Sequence, residues 1–247
     1  MEANLFLIIT VLLVHILKSS RLYIILYGEK ISRRKYLETY CMTTPVSILI
    51  PFKLGEFFRM FAYGRAIGNY LKGVIIILLD RFMDTLALLT IIIAKIVFFN
   101  GRMDSLTWFF VFFLVLLLVV YTLFPKTIMY WKNFFLTSSA TPRKLKALKW
   151  IELSISIYTE IRTICQGRGA ILYGLSLLAW GIEVSGLMLQ VSGAAAGQQV
   201  VSRYLSAAIG SGSSIELQRF VIASVILLAA TWIVLKIIDF IMKKRSR

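Results

Sequence analysis

A handful of charged side chains stand where the sequence is otherwise apolar. Lys53, Glu56 and Arg59 fall within Pro51-Phe-Lys-Leu-Gly-Glu-Phe-Phe-Arg59, and Asp80, Arg81 and Asp84 within the apolar run Gly73 to Phe99. A charge at bilayer depth costs about 2.5–3.5 kcal/mol on insertion scales, so it persists where it is paired or serves a function. Guanidiniums are forked donors for phosphate or carboxylate, and carboxylates hold them in place or meet a cation. No Asp-x-Asp metal pair, nucleotide-binding loop or Ser/His/Asp set accompanies them. Such charges are therefore expected to be paired or to form a functional polar centre, with no catalytic residue, metal or cofactor. Three more residues join the candidates. Glu183 interrupts the apolar run Ala170 to Val191 without a partner on its own helix, so it either pairs with an arginine from elsewhere or is protonated. Glu216-Leu-Gln-Arg219 repeats the spacing of Glu56-Phe-Phe-Arg59.

These residues need a membrane scaffold to position them. With 59% hydrophobic and 16% charged residues and a mean hydropathy of +0.81, the chain is not a soluble globular protein. Strand-period alternation is absent, so the fold class expected is an all-α polytopic membrane protein, one membrane domain over residues 1–247. Five spans are expected: Asn4–Tyr27, Gly73–Phe99, Leu106–Phe124, Ala170–Val191 and Phe220–Met242. Glu2 in place of a basic start argues against a cleaved signal peptide. Pro45, Pro51 and Gly55 break the apolar run Val46 to Pro51 too early to cross, giving a re-entrant segment over Tyr40 to Arg65. Ser192 to Ser214 is a loop or a second one. Lys18 and Arg21 end the clean part of the first span and are expected to snorkel to the interface. His15 reads as a buried, hydrogen-bonded imidazole. Gly28 to Glu38 reads as a polar link, Asn100-Gly101-Arg102 as a short turn, and Pro125 to Arg168 as a basic connection. In that connection Leu145, Leu148, Ile151, Ile155, Tyr158 and Ile161 recur at helical steps, an amphipathic helix for the cytoplasmic interface. Cys41 and Cys165 are expected to be free thiols.

The net charge of +16 is a membrane signature here, because Lys and Arg crowd two connections and the tail and no aromatic-basic nucleic-acid motif is present. That distribution puts the N-terminus outside and the C-terminus in the cytoplasm. It also sets Glu56…Asp80 and Glu216…Asp239 in mirror orientation, the pattern of an inverted repeat: residues 4–99, a joint over 105–168, and residues 170–242. The competing reading is chance for so short a pattern. In that reading Asp239 pairs with Lys236 one turn away, and Asp80, Arg81 and Asp84 form a salt bridge that merely fixes packing.

Pro51-x-Lys53-x-Gly55-Glu56-x-x-Arg59, followed by Asp80-Arg81-x-x-Asp84, resembles the flippase-like membrane domain of lysylphosphatidylglycerol synthase. Lys18-Ser-Ser-Arg21-Leu-Tyr resembles the basic stretch entering that family's first broken segment, and Gly210-x-Gly212-x-x-x-Glu216 its second glycine-rich motif. The chain departs from the pattern in lacking a leading membrane helix, the proline of the second motif and an aminoacyltransferase domain. The resemblance implies a plasma (inner) membrane translocator in cell-envelope synthesis. Its cargo would be an anionic or aminoacylated phospholipid, or a polyprenyl-phosphate glycan, with Lys53, Glu56, Arg59, Asp80, Arg81, Asp84, Glu183, Glu216 and Arg219 as the headgroup-binding residues, and envelope-synthesis enzymes are candidate partners. Two other readings stay open: a non-transporting subunit of such a synthesis complex, and a membrane transferase using Asp80 or Glu56 as base.

Overall fold

Segments that lie in hydrocarbon must satisfy their own backbone groups, which a continuous helix does. The computed structural model describes residues 2–50, 54–99, 105–137, 141–190, 194–209 and 213–245, and these form nine α-helices and no strand. In order they are α1 (Glu2–Ile25), α2 (Arg33–Leu49), α3 (Leu54–Ile67), α4 (Tyr70–Phe99), α5 (Ser105–Thr137), α6 (Pro142–Cys165), α7 (Gly169–Leu189), α8 (Ala194–Ile209) and α9 (Ile215–Arg245). Among the described residues, four helices are long and apolar enough to cross a membrane: Leu5–Ile25, Thr107–Thr137, Gly169–Leu189 and Ile215–Met242. The remaining expected span lies in α4, whose 30 residues reach about 45 Å at 1.5 Å per residue. Its charges, not its length, set it apart from those four. The chain is a polytopic all-α membrane protein.

The segment expected to be re-entrant forms the two helices α2 and α3. α2 begins earlier than expected, at Arg33, because the Ser32 hydroxyl accepts from the Lys35 amide and caps it. It runs through Pro45 and stops at Ile50, whose backbone is extended. Its 17 residues span about 25 Å, short of a bilayer's hydrocarbon. Around the break, Leu49, Leu54, Phe57 and Phe61 are exposed, an apolar tip suited to lipid. Pro51 and Lys53 lie outside the described residues, as do the turn at Asn100-Gly101-Arg102 and the glycines Gly210 and Gly212.

Close glycine contacts set the packing. A Cβ on Gly55 would lie 2.3 Å from the Ser47 Cα, and one on Gly73 would lie 2.5 Å from the Gly64 nitrogen, so α3 packs backbone to backbone against both α2 and α4. α1 packs against α7, where Gly186 meets Thr10, and α7 against α4. The main core lies between α1, α2, α3 and α4 around Leu22, Tyr36, Tyr63 and Ile76, with Leu172 from α7.

The two middle helices differ from expectation. α5 continues through Pro125 to Thr137 instead of ending at Phe124. Proline removes one hydrogen bond, but ending the helix inside an apolar run would strand several carbonyls in hydrocarbon. α6 does not lie free on its apolar stripe. Tyr158 packs 5.1 Å from the rings of Tyr121 and Phe124, Ile151 is buried, and Ile161 meets the main core, while Leu145 stays exposed. Cys41 and Cys165 are free thiols, and burial pushes the Cys165 thiol pKa up.

α2 and α9 pack side by side, and Asp239 pairs across that seam with Arg34 instead of with Lys236, which pairs with Glu38. The helices run antiparallel, so residues one turn apart on α2 stand opposite residues one turn apart on α9. These side chains are 27–49% exposed, and pairs of that kind contribute at most about 1 kcal/mol. Asp239→Asn is therefore expected to lower stability by no more than about 1 kcal/mol, read as the unfolding midpoint of the detergent-solubilised protein.

Candidate functional site

Arg21 is the centre of the polar cluster, and the sequence reading missed it. The side chain is 1% exposed and does not snorkel. Its Nε donates to Asp80 Oδ1 at 2.8 Å, and its Nη1 donates to Asp84 Oδ1 at 2.9 Å and to Ser176 Oγ at 2.7 Å. α1 runs beside α4 and α7 at this level, and α4 presents two carboxylates one turn apart, so the guanidinium gains more by bridging them than by reaching for water. One signal was legible in the sequence. Asp80 and Asp84 stand one turn apart on an apolar helix with Arg81 as the cation between them, so one of the two carboxylates called for a second cation from elsewhere.

α3 contributes Glu56 and Arg59 on one face. Arg59, 2% exposed, approaches Glu56 Oε2 at 3.3 Å and Asp80 Oδ2 at 3.7 Å. Arg81 donates to Asp80 Oδ2 at 3.0 Å and lies 3.7 Å from Glu56 and 4.0 Å from Asp84. Asp80 thus sits among three guanidiniums. The Arg81 side chain is 39% exposed and is the guanidinium of the three with an open side.

Glu183 pairs with a lysine rather than an arginine. Lys18 Nζ stands 3.5 Å from Glu183 Oε2 and 5.1 Å over the Trp180 ring, and the Tyr204 hydroxyl donates to Oε1. Lys18, like Arg21, turns inward because a carboxylate and an aromatic face await it on α7. His15 is buried, as expected, with Nδ1 3.2 Å from the Tyr40 hydroxyl.

These groups surround a cavity of about 330 Å³. Lys18, Glu56, Arg59, Asp80, Arg81 and Glu183 give it a charged side. Tyr40, Thr44 and Ser47 from α2 carry the polar lining on, while Leu217, Phe220 and Val221 from α9 form an apolar wall broken by Ser224. Such a cavity holds a polar group on one side and hydrocarbon on the other. Asp84 stands behind the lining, clamped to Arg21. Among the described residues no group of three or more His, Cys, Asp or Glu is arranged to hold a metal ion.

Two of the sequence candidates are not brought to this site. Glu216 accepts from Ser214 Oγ at 2.6 Å, Arg219 is exposed, and neither lines the cavity. The cavity face of α9 is set by Leu217, Phe220, Val221 and Ser224, which at 100° per residue puts Glu216 on the flank and Arg219 nearly opposite. Lys53 lies outside the described residues. The two presumed halves also differ locally: Glu56 and Asp80 are on separate helices, joined through Gly68 at φ 81°, whereas Glu216 and Asp239 share α9.

Among known proteins, no curated sequence and no solved structure matches the chain. One family model does: the lysylphosphatidylglycerol synthase TM region matches residues 1–196, from α1 into the first turn of α8, and so covers α1, α2, α3, α4 and α7, which supply every charged member of the cluster. The chain belongs to the lysylphosphatidylglycerol synthase TM region family.

Proposed function

We propose that this membrane protein moves a lipid between leaflets, with the headgroup carried in the cavity between α2–α3 and α8–α9 and the chains left in the bilayer. One observation carries the reading. A cavity of about 330 Å³ has paired guanidiniums and carboxylates on one side and the apolar face of α9 on the other, the division an amphiphile needs. Arg81 receives the phosphate, since its guanidinium alone among the three around Asp80 is part-exposed. Arg59, Arg21, Asp80 and Asp84 hold it in place, and Glu56 closes the same face. In the cell the orientation would be N-terminus outside and C-terminus cytoplasmic, in the plasma membrane, serving envelope synthesis.

The test is reconstitution of the purified chain into vesicles carrying a labelled phospholipid or polyprenyl-linked sugar in one leaflet. Arg81→Ala is expected to bring exchange down to the protein-free background while the protein still inserts and elutes as wild type does. Arg219→Ala, on the far side of α9, is expected to keep wild-type exchange. Wild-type rates in Arg81→Ala would remove the site. A chemically altered lipid in the same vesicles would point to a transferase.

A second reading, a non-transporting subunit, is favoured by α5. Its lipid-length face exposes Trp108, Phe109, Phe112 and Val115, room for a partner helix. Absence of exchange with every lipid, together with co-purification of an envelope enzyme that is lost on changing those residues, would favour it.

A further inference from the structure

α5 is longer than a bilayer needs. Its 33 residues reach about 50 Å at 1.5 Å per residue, against about 30 Å of hydrocarbon. Even a tilt of about 40° leaves about 38 Å along the membrane normal. The surplus falls at the C-terminal end, where Lys126 and Lys132 follow a run without charge from Ser105 to Pro125. α6 then turns back along α5, with Tyr158 packed on Tyr121 and Phe124. Ile161 and Ile164 sit in or against the main core, and Glu160 reaches Lys72 at 3.3 Å. Residues 126–137 and 142–157 are thus the distal part of a helical hairpin whose root is fixed in the bundle.

The surface of that distal part is both basic and apolar. Residues 126–153 hold six cations, Lys126, Lys132, Arg143, Lys144, Lys146 and Lys149, and one carboxylate, Glu152. Among the described residues none of the six meets a carboxylate, unlike Lys72, Arg34 and Lys236 on the bundle. On α6, Arg143, Lys146, Lys149, Trp150 and Leu153 are exposed and fall within about 120° of the circumference at 100° per residue. Further along α6 the same sector carries Ile157, Ile161 and Ile164, which the core covers. The covered face therefore runs on past the edge of the bundle, where Trp150 is 69% exposed. α5 adds exposed Met129, Tyr130, Trp131 and Phe134.

We propose that the distal part of the α5–α6 hairpin is an arm that lies on the bilayer interface and binds the headgroups of anionic phospholipids. Charge complementarity carries the choice of occupant. Lysines and arginines meet lipid phosphates, an exposed tryptophan sits at headgroup level, and the apolar side chains beside it reach the acyl boundary. A second copy is the poorer occupant, because a two-fold seam here would set like charge against like. An acidic protein would answer the cations, but the arm leaves α5 at the level where hydrocarbon ends, so lipid reaches it first. The arm is separate from the cavity between α2–α3 and α8–α9, and none of its residues lines that cavity. Its lipid contact is therefore independent of translocation.

The test is hydrogen exchange of the full chain in nanodiscs, read by mass spectrometry over residues 126–137 and 142–153. One disc is phosphatidylcholine alone, and the other has about 30 mol% of it replaced by phosphatidylglycerol. Each cation near an anionic surface contributes about fivefold, so both segments are expected to exchange at least about tenfold more slowly in the anionic disc. The triple variant Arg143→Gln/Lys146→Gln/Lys149→Gln is expected to lose that difference over 142–153. In that variant α4 is expected to exchange as in wild type, which shows the bundle intact. Trp150 fluorescence, taken as wild type minus Trp150→Phe, is expected to be quenched by phosphatidylglycerol brominated on its chains. Equal exchange in the two discs, or an unquenched Trp150, overturns the proposal. So does full protection in the neutral disc with two chains per particle, which assigns the face to a second copy. Protection that arises only on adding a polyglutamate peptide assigns it to an acidic protein and overturns the proposal as well.

Discussion

Arg21→Met is expected to lower folding stability by about 3–5 kcal/mol, the cost of stripping one partner from a buried ion pair. The magnitude follows from what remains. Asp80 would keep Arg81 at 3.0 Å and Arg59 at 3.7 Å, but Asp84 would keep only Arg81 at 4.0 Å, and the Ser176 hydroxyl would lose its cationic donor. Methionine has nearly the right length and flexibility, so the measured change reports charge more than a hole. The double variant Arg21→Met/Asp84→Asn is expected to recover part of the loss, because it takes away the carboxylate left without close support. Denaturant unfolding in detergent reads both. If the single variant stays within about 1 kcal/mol of wild type, or the second change recovers nothing, the hub assignment of Arg21 is wrong.

Gly73→Ala is expected to separate α3 from α4. The added Cβ would stand 2.5–2.6 Å from the Gly64 nitrogen and Cα and from the Met60 carbonyl oxygen, all backbone. Carbon contacts settle near 3.5–4.0 Å, so the two helices must part by about 1 Å. Alanine in a helix ordinarily gains about 0.5–1 kcal/mol over glycine, but overpacking costs about 1–3 kcal/mol or more, and here no flexible side chain can yield. The displacement falls on functional geometry, since Arg59 rides on α3 and Asp80 on α4, already 3.7 Å apart. Stability and lipid exchange should drop together. Gly174→Ala is the control: a Cβ there meets nothing within 4 Å, so it is expected to be neutral or stabilising by up to about 1 kcal/mol. If Gly73→Ala behaves like that control, the close-packing account of the α3–α4 contact falls.

Part of this site could be read before any fold was known. Glu56, Arg59, Asp80, Arg81 and Asp84 stand out because a charge in an apolar run has few innocent explanations, and the structure brings all five together. Lys18 and Arg21 were misread because a basic pair where an apolar stretch ends looks the same whether it snorkels outward or turns inward. The deciding fact, which helices stand beside α1, is non-local. Asp239 was misassigned for the same reason: its own helix offers Lys236, but α2 offers Arg34. Glu216 and Arg219 matched in spacing, yet spacing does not say which way a helix is turned. The break between α2 and α3 was legible because proline and glycine act locally. The extent of α5 past Pro125 was not, since continuation there depends on the hydrocarbon outside.

Across the cluster four cations (Lys18, Arg21, Arg59, Arg81) meet four carboxylates (Glu56, Asp80, Asp84, Glu183), and that balance bears on how fast a bound anion could leave. On the proposed reading, an anion reaching the open side of Arg81 would find that guanidinium and Arg59 already facing Glu56 and Asp80, so each contact it gained would weaken one already made. Net affinity is then a small difference between two similar sets of contacts, which keeps the occupied state shallow. Under the proposed role such a site would give up tenacity and gain turnover, whereas a neighbourhood of unmatched arginines would hold its cargo like a sink.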